Sequence, residues 1–347
     1  MCRLMSRRAP FLAWAALLWA LLGASCAGGN PAQDAPAPSK QEAPAGAGAS
    51  LGEQVTLGES GAAGGRLLTC DYYSEESFLR SVREAQPYET DGALIAGVVP
   101  HHLLAGQLIA SFFATAAESG EEYESVVFVA PSHYPTAQRA VTAQSGWQTP
   151  FGVVENDRMI TETLMGGRLA ARADEDNMQL DHAVSGLIPY VKYYLPGAKV
   201  SAVLLQNRLE PERVEALAKR LLALSQEKKI LLVCSVDFSH YLTPERAALH
   251  DERTRAALAA FDYQTIAGFD DSNMDSPQSI TVFLRYLQGR GAGEVRFFDH
   301  SSADRILGLP PGDPAYREGV TTYFIPVSYT HLRSSRSRGP PAALRSR

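Results

Sequence analysis

Lys229-Ile230-Leu231-Leu232-Val233-Cys234-Ser235-Val236-Asp237-Phe238-Ser239-His240-Tyr241 is a continuous apolar run that empties into a polar turn. Such a run has no face to offer to water, so it reads as a parallel strand covered on both sides. Two earlier stretches share its form: Ala93 to Val99 leads into Pro100-His101-His102, and Ser125 to Ala130 leads into Pro131-Ser132-His133-Tyr134. Helices are expected at Leu103 to Ala117, Asp157 to Ala170, His182 to Tyr194, Pro211 to Ser225, Pro244 to Phe261 and Pro277 to Gln288. Further strands are expected at Val200 to Leu205, Glu294 to Phe298 and Thr321 to Val327. Strands alternating with helices of this length give an α/β fold with a mainly parallel central sheet and helices on both faces. The carboxyl ends of parallel strands open on one edge of the sheet, so loops distant in sequence can surround one pocket. Four of the eight histidines, His101, His133, His182 and His240, would then face each other, which points to a metal or an acid/base site.

The ends of the chain carry a different message. Arg3, Arg7 and Arg8 precede the apolar run Phe11 to Leu22, which is short for a membrane span and is followed by Gly23-Ala24-Ser25-Cys26. Residues 1–26 read as a bacterial export signal of the lipoprotein type, with Cys26 the acylated residue and the membrane a partner through that anchor. Cleavage near Ala27 is the alternative, leaving a soluble secreted protein. Residues 27–66 are Ala, Gly, Pro and Ser with almost no large apolar side chain, and read as a flexible linker. The folded domain is expected over residues 67–328, and residues 329–347 read as an unstructured tail, whose His331 is left out of the site. The signal and the tail hold eight arginines and no acidic residue, so removing both takes the formal charge from −6 to −14. A domain that acidic is a poor nucleic-acid binder. Of the cysteines beyond Cys26, Cys234 sits in an apolar strand and reads as a small core residue, although an exported compartment permits a bond to Cys70.

Pro100-His101, Pro131-Ser132-His133, Trp147-Gln148-Thr149-Pro150-Phe151-Gly152, Asp181-His182 and Ser235-Val236-Asp237-Phe238-Ser239-His240-Tyr241 follow one another in an order and spacing that resembles the Memo family, including its bacterial AmmeMemoRadiSam system protein B group. The resemblance covers nearly all of Ala93 to Val327. It implies a fold similar to the class III extradiol dioxygenases, and a pocket in which His101 and His133 bind a metal or line the cavity. It also implies functional association with AMMECR1-like and radical SAM proteins. Where the family's animal members hold a cysteine, this chain has Ser239. Without that thiolate a copper-like soft site is less favoured, because imidazole and carboxylate suit iron, zinc or manganese.

Individual residues support a site of this kind. His101 and His133 each follow a proline at a strand end, and are expected to be ligands. Asp237 with two histidines would complete the facial triad of non-haem iron oxygenases, or would instead orient His240. His102 is expected behind His101, or as a residue starting the next helix. Asp181 reads as a helix cap at the pocket. His182, in the first turn, is kept neutral by the helix dipole, and by analogy with the related dioxygenases is expected to act as acid and base, with His240 as a second proton carrier. Ser239 and Tyr134 line the pocket; Tyr241 and Trp147 are walls or ordinary core; His250 and Asp251 read as a solvated helix face, and His300 borders the pocket at most. The chain has neither a phosphate-loop motif nor a nucleophile elbow.

Together these readings describe an exported protein with a His-lined pocket for one transition metal, iron favoured and copper or zinc the alternatives. Its expected chemistry is metal-dependent redox or dioxygenase-like turnover of a small polar or aromatic substrate. The alternatives are a non-catalytic binder of a metal, small molecule or peptide, and a metal-assisted hydrolase. Removing His101 and His133 is expected to abolish metal retention with little change to the metal-free fold.

Overall fold

The structure, a computed structural model, describes residues 66–310, 313–314 and 319–329. The expected export signal with Cys26, the linker up to residue 65, and the tail beyond Tyr329 with His331 lie outside the described residues. Eleven strands are present among the described residues: β1 (Leu68–Thr69), β2 (Leu94–Val99), β3 (Ser125–Pro131), β4 (Ala140–Thr142), β5 (Trp147–Thr149), β6 (Gly152–Val154), β7 (Arg172–Ala173), β8 (Lys199–Leu205), β9 (Ile230–Ser235), β10 (Arg296–Ser302) and β11 (Thr322–Tyr329). Eight form one sheet in the order β10-β11-β2-β9-β3-β8-β4-β7, and β1, β5 and β6 form a small second sheet.

The centre of the large sheet is parallel: β2 pairs with β9, β9 with β3, and β3 with β8. The edges are not, since β11 runs antiparallel to β2, β10 to β11, and β4 to β8. Side chains alternate along each central strand, so one sheet feeds two cores. Val126, Phe128 and Ala130 join Ile109, Phe112 and Phe113 of the helix Gly106–Glu118 and Ile188 of the helix Ile188–Tyr194. Val127 and Val129 join Leu217 and Leu221 of Pro211–Glu227 and Ile280 and Phe283 of Pro277–Gly289. Both faces are therefore covered by helices, as the apolar runs require.

Two helices are shorter than expected. The first, after Asp157, runs only from Arg158 to Met165, because Gly166 is extended and Gly167 turns to a positive φ of 53°. The segment His182 to Tyr194 is two helices, His182–Ser185 and Ile188–Tyr194. Pro189 has no N–H to return to Ser185, and a Cβ on Gly186 would meet Leu103 Cδ2 at 3.3 Å, so the chain breaks where Leu103 packs against it. Helices Glu75–Glu84 and Glu175–Leu180 escape the periodicity reading, although both open on side-chain caps, Ser74 and Asp174.

Candidate metal centre

Strand order builds the site. β9 lies between β2 and β3, so the turns that follow Val99, Pro131 and Ser235 emerge side by side at the same edge. The helix His182–Ser185 packs across them, anchored where Ser235 Oγ donates to the Ala183 carbonyl at 2.6 Å.

That hydrogen bond fixes the proton on His101 Nδ1. Ser235 has used its proton on Ala183, so it can only accept from His101 Nδ1, 3.0 Å away. Nδ1 therefore keeps its proton in every state of the ring, and Nε2 is the nitrogen that can offer a lone pair when the ring is neutral. The backbone N–H groups of His101 and His102 donate to Asp237 Oδ1 at 3.0 and 3.5 Å, holding the turn and the carboxylate together. His101 is almost wholly buried, at 2% exposure.

His133 is set by Asp181, which is itself fully buried. Asp181 Oδ2 accepts the His133 backbone N–H at 2.7 Å, and Oδ1 accepts both His133 Nδ1 at 2.9 Å and the Ala183 N–H at 3.0 Å. The carboxylate is thus a helix cap and the orienter of an imidazole at once, the usual way in which a metal-ligating histidine is held. Its Nε2 is left free to bind. The ring centroids of His133 and His182 are 4.3 Å apart and stacked, and both stand near His101, at 4.9 and 5.1 Å. One ligand nitrogen from each of these three rings lies within 4.8 Å of the others. Converging imidazole nitrogens, with the far nitrogens of His101 and His133 held by Ser235 and Asp181, form a donor set that fits a transition metal.

A second group shares His101. Its Nε2 lies 3.1 Å from Asp275 Oδ2 and 3.6 Å from Asp237 Oδ2, and these three residues form a separate ligand-spaced cluster. His133 and Asp237, expected together as ligands, thus belong to two groups joined by His101. Asp275 escaped the sequence reading; the signal was the acidic run Asp270-Asp271-Ser272-Asn273-Met274-Asp275 just before the helix at Pro277.

The other expected residues are spread around these groups. His102 turns away, its Nδ1 2.5 Å from Tyr323 OH. His240 belongs to neither ligand group; its backbone N–H donates to the Asp271 carbonyl at 2.8 Å, and its buried Nδ1 has no partner. Tyr134 OH lies 3.0 Å from Tyr72 OH, which donates to the Leu180 carbonyl, and the Tyr72 ring packs 5.6 Å from His182. Tyr72 is a pocket wall that no motif announced. Trp147 is a buried residue of β5, whereas Tyr241 is exposed at a positive φ of 59°. Cys70 and Cys234 are both free, and Cys234 is core.

The Ser239 side chain is committed to Asp251. Its hydroxyl donates to Asp251 Oδ1 at 2.8 Å, the Thr322 hydroxyl donates to the same oxygen at 2.8 Å, and His300 Nε2 meets Asp251 Oδ2 at 2.8 Å. Asp251 is therefore buried, not part of a solvated helix face, because three polar groups from three segments converge on it. Ser239→Ala is expected to leave metal retention intact and to cost about 1 kcal/mol, a fall in Tm of about 2–4 °C. Differential scanning calorimetry with parallel elemental analysis would check both; metal loss would place Ser239 at the metal after all.

Electrostatics separate the histidines. Burial works against a charge on His101, but the carboxylates of Asp237 and Asp275 outweigh it and raise its pKa to about 9. Burial, reinforced by the neighbouring His133 and His101, lowers His182 to about 3. His182 is neutral, as expected, but through burial and its neighbours more than through the dipole of a four-residue helix. Burial also lowers His102. Burial opposes the charges of Asp181 and Asp237, yet the hydrogen bond from His133 and the charge of His101, respectively, hold both below the usual carboxylate range.

These shifts predict how the metal-free protein responds to pH. His101 binds its proton more tightly when folded, so its contribution is complete below pH 6.5 and is lost as pH rises through about 9. His182 binds its proton less tightly when folded, so its contribution is complete above pH 6.5 and is lost as pH falls toward about 3. Stability of the chelator-treated protein is expected to peak near neutrality, and His101→Gln should flatten the alkaline limb. Urea midpoints between pH 5 and 9.5 would show it; an unchanged alkaline limb in the variant would refute the assignment.

The sequence profile of the Memo-like protein family matches residues 70–309. A MEMO1 family protein of Archaeoglobus fulgidus is 25% identical over 256 residues, covering 72% of this chain and 92% of the relative. One from Methanococcoides burtonii is 28% identical over 62% of this chain and 83% of its own length. One from Pyrobaculum aerophilum is 26% identical over 49% of this chain, which spans 62% of that relative. Among solved structures, an uncharacterized protein of Escherichia coli K12 superposes with a TM-score of 0.46 at 14% identity, over 68% of this chain and all of that one.

Proposed function

This chain belongs to the Memo-like family, and we propose that it is a metal-dependent oxidoreductase acting in dioxygenase-like fashion on a small polar or aromatic substrate. The observation that carries the reading is the grouping of His101, His133 and His182, with the far nitrogen of His133 tied to buried Asp181 and that of His101 tied to Ser235. His101 Nε2, His133 Nε2 and a nitrogen of His182 would hold the ion, iron being the favoured metal. Three ligands from the protein leave coordination positions open, the mark of a catalytic site rather than a structural one. A bound metal would supply Lewis acidity and electron transfer to oxygen and substrate.

The remaining roles fall to the chain itself. His182 stays unprotonated at neutral pH and is ready to bind without releasing a proton. His240, next along the third turn, has a buried nitrogen with no partner and is the group we assign to move a proton. Tyr72, whose ring lies 5.6 Å from that of His182, and Tyr134, hydrogen-bonded to it, would supply aromatic surface beside the site for an aromatic substrate. The cell envelope is the proposed setting, on the strength of residues 1–26; no helix among the described residues is long and apolar enough to cross a membrane.

The full-length protein, purified without chelator, is expected to carry about one transition-metal ion per chain by elemental analysis, and to consume oxygen when offered small aromatic diols. Absence of metal even after reconstitution would overturn the proposal and leave a pocket that binds without turnover. Metal without oxygen uptake would leave a metal-binding protein.

A further inference from the structure

We propose that His101, Asp237 and Asp275 form a second, carboxylate-rich cation seat that takes a hard divalent ion such as Mn²⁺, and that occupation of this seat and of the three-histidine seat is mutually exclusive. The proposal rests on the reading that this pocket binds metal, and adds to it a choice between two positions.

Three ligand atoms converge at this point. Because His101 Nδ1 donates to Ser235, Nε2 is the nitrogen left for a ligand bond once its proton is released, and it faces Asp275 Oδ2 at 3.1 Å and Asp237 Oδ2 at 3.6 Å. The gap between these atoms holds either the proton of an Nε2–H, which the two carboxylates favour, or a cation that displaces that proton and takes the same lone pair. The second oxygen of Asp275, Oδ1, is buried with no partner, so the seat also has an unused donor atom.

The carboxylates are placed in advance rather than by accident of a flexible surface. The Asp237 N–H donates to Asp275 Oδ2 at 3.2 Å, and the Asp275 N–H returns to the Asp237 carbonyl at 3.1 Å. Phe238 and Met274 bridge the same two segments. Asp237 Oδ1 is engaged by the backbone of His101 and His102, which aims Oδ2 at the seat. Orienting contacts of this kind are what distinguish a ligand set from a chance acidic cluster.

Exclusivity follows from chemistry. Nε2 has one lone pair, and Nδ1 is occupied, so His101 cannot serve two ions. Asp237 and Asp275 do not share the ligand spacing that unites His133 and His182 with His101, so one ion cannot collect all five residues. Three imidazoles favour zinc, copper or iron; one imidazole with two carboxylates favours a harder ion and neutralises its two charges. The ion present would thus decide which side of His101 is used, and so whether the open positions face the Tyr72 wall.

The test titrates the chelator-stripped full chain with Mn²⁺, followed by electron paramagnetic resonance of the free ion, and with Zn²⁺. A His133→Ala, His182→Ala double variant should lose Zn²⁺ affinity by more than about 100-fold yet bind Mn²⁺ like the wild type. Asp275→Asn should lower Mn²⁺ affinity by at least about tenfold and leave Zn²⁺ binding in place. In the wild-type protein, Zn²⁺ should release bound Mn²⁺ one for one, a readout that needs no variant to fold. Mn²⁺ lost with the two histidines, Mn²⁺ indifferent to Asp275, or the two ions bound together would each overturn the second seat. Failure of the wild type to bind Zn²⁺, iron or copper would instead overturn the functional reading on which it rests.

Discussion

His133→Ala is expected to lower transition-metal affinity by more than about 100-fold while costing the metal-free protein only about 1 kcal/mol. The ring is partly exposed, with 29% of its side-chain surface accessible, and its removal leaves Asp181 with two backbone N–H donors, from residue 133 itself and from Ala183. His101→Ala should lose metal equally but behave differently as a fold. It strips the partner from Asp237 and Asp275, whose side chains are 5% and 11% exposed, and leaving buried carboxylates uncompensated costs about 3–5 kcal/mol. Little effect on the metal-free fold is therefore expected on removing His133, and a large one on removing His101. Isothermal titration with Zn²⁺ and urea unfolding of the apo variants would check the contrast; equal stabilities would show that the carboxylates do not depend on His101.

Asp181→Asn should combine a loss of about 2–3 kcal/mol with a drop of about 10–100-fold in metal affinity. Asp181 receives three N–H donors on its two oxygens. An amide has one oxygen, so whichever way Asn is turned its NH₂ group meets an N–H, either from the His133 backbone or from the cap of the helix at His182. The cap contributes about 1 kcal/mol by itself. Rotation of the His133 ring away from the others is the source of the affinity loss. Metal titration of Asp181→Asn beside Asp181→Ala would separate the two roles, because alanine removes the acceptors without adding the opposing N–H. Metal affinity unchanged in both would mean that His133 needs no orienter.

Much of the architecture was legible locally. The runs that became β2, β3, β8 and β9 declare themselves because a strand covered on both faces must be apolar at every position. Strands of two or three residues, such as β4 and β7, carry no period to detect and exist only because a longer neighbour offers unpaired backbone groups. The break at Gly186 was hidden because Pro189 stands near the start of the second helix, where proline is tolerated and reads equally well as continuation.

For the site, the same boundary applies residue by residue. His101, His133 and Asp237 follow directly from strand ends, since the carboxyl edge of a parallel sheet is dictated by chain direction and the residues just beyond it have few places to go. Ser239, two residues past Asp237, already escapes this logic: its hydroxyl turns to Asp251 because Thr322 and His300 bring complementary groups there from β10 and β11. Asp275 is 38 residues from Asp237 and is joined to it by a backbone pair that only the folded loops create.

The amino-acid sequence by itself determined that this chain has an α/β domain with a histidine-bearing edge, because apolar strand runs and the turns that end them are encoded within a few neighbouring residues. Only the tertiary structure decided that His182 stands with His101 and His133, that Asp181 is cap and orienter together, and that Asp275 rather than Ser239 faces the imidazole of His101. Those choices depend on where side chains point after a turn, and that direction is set by hydrogen-bond partners drawn from distant segments.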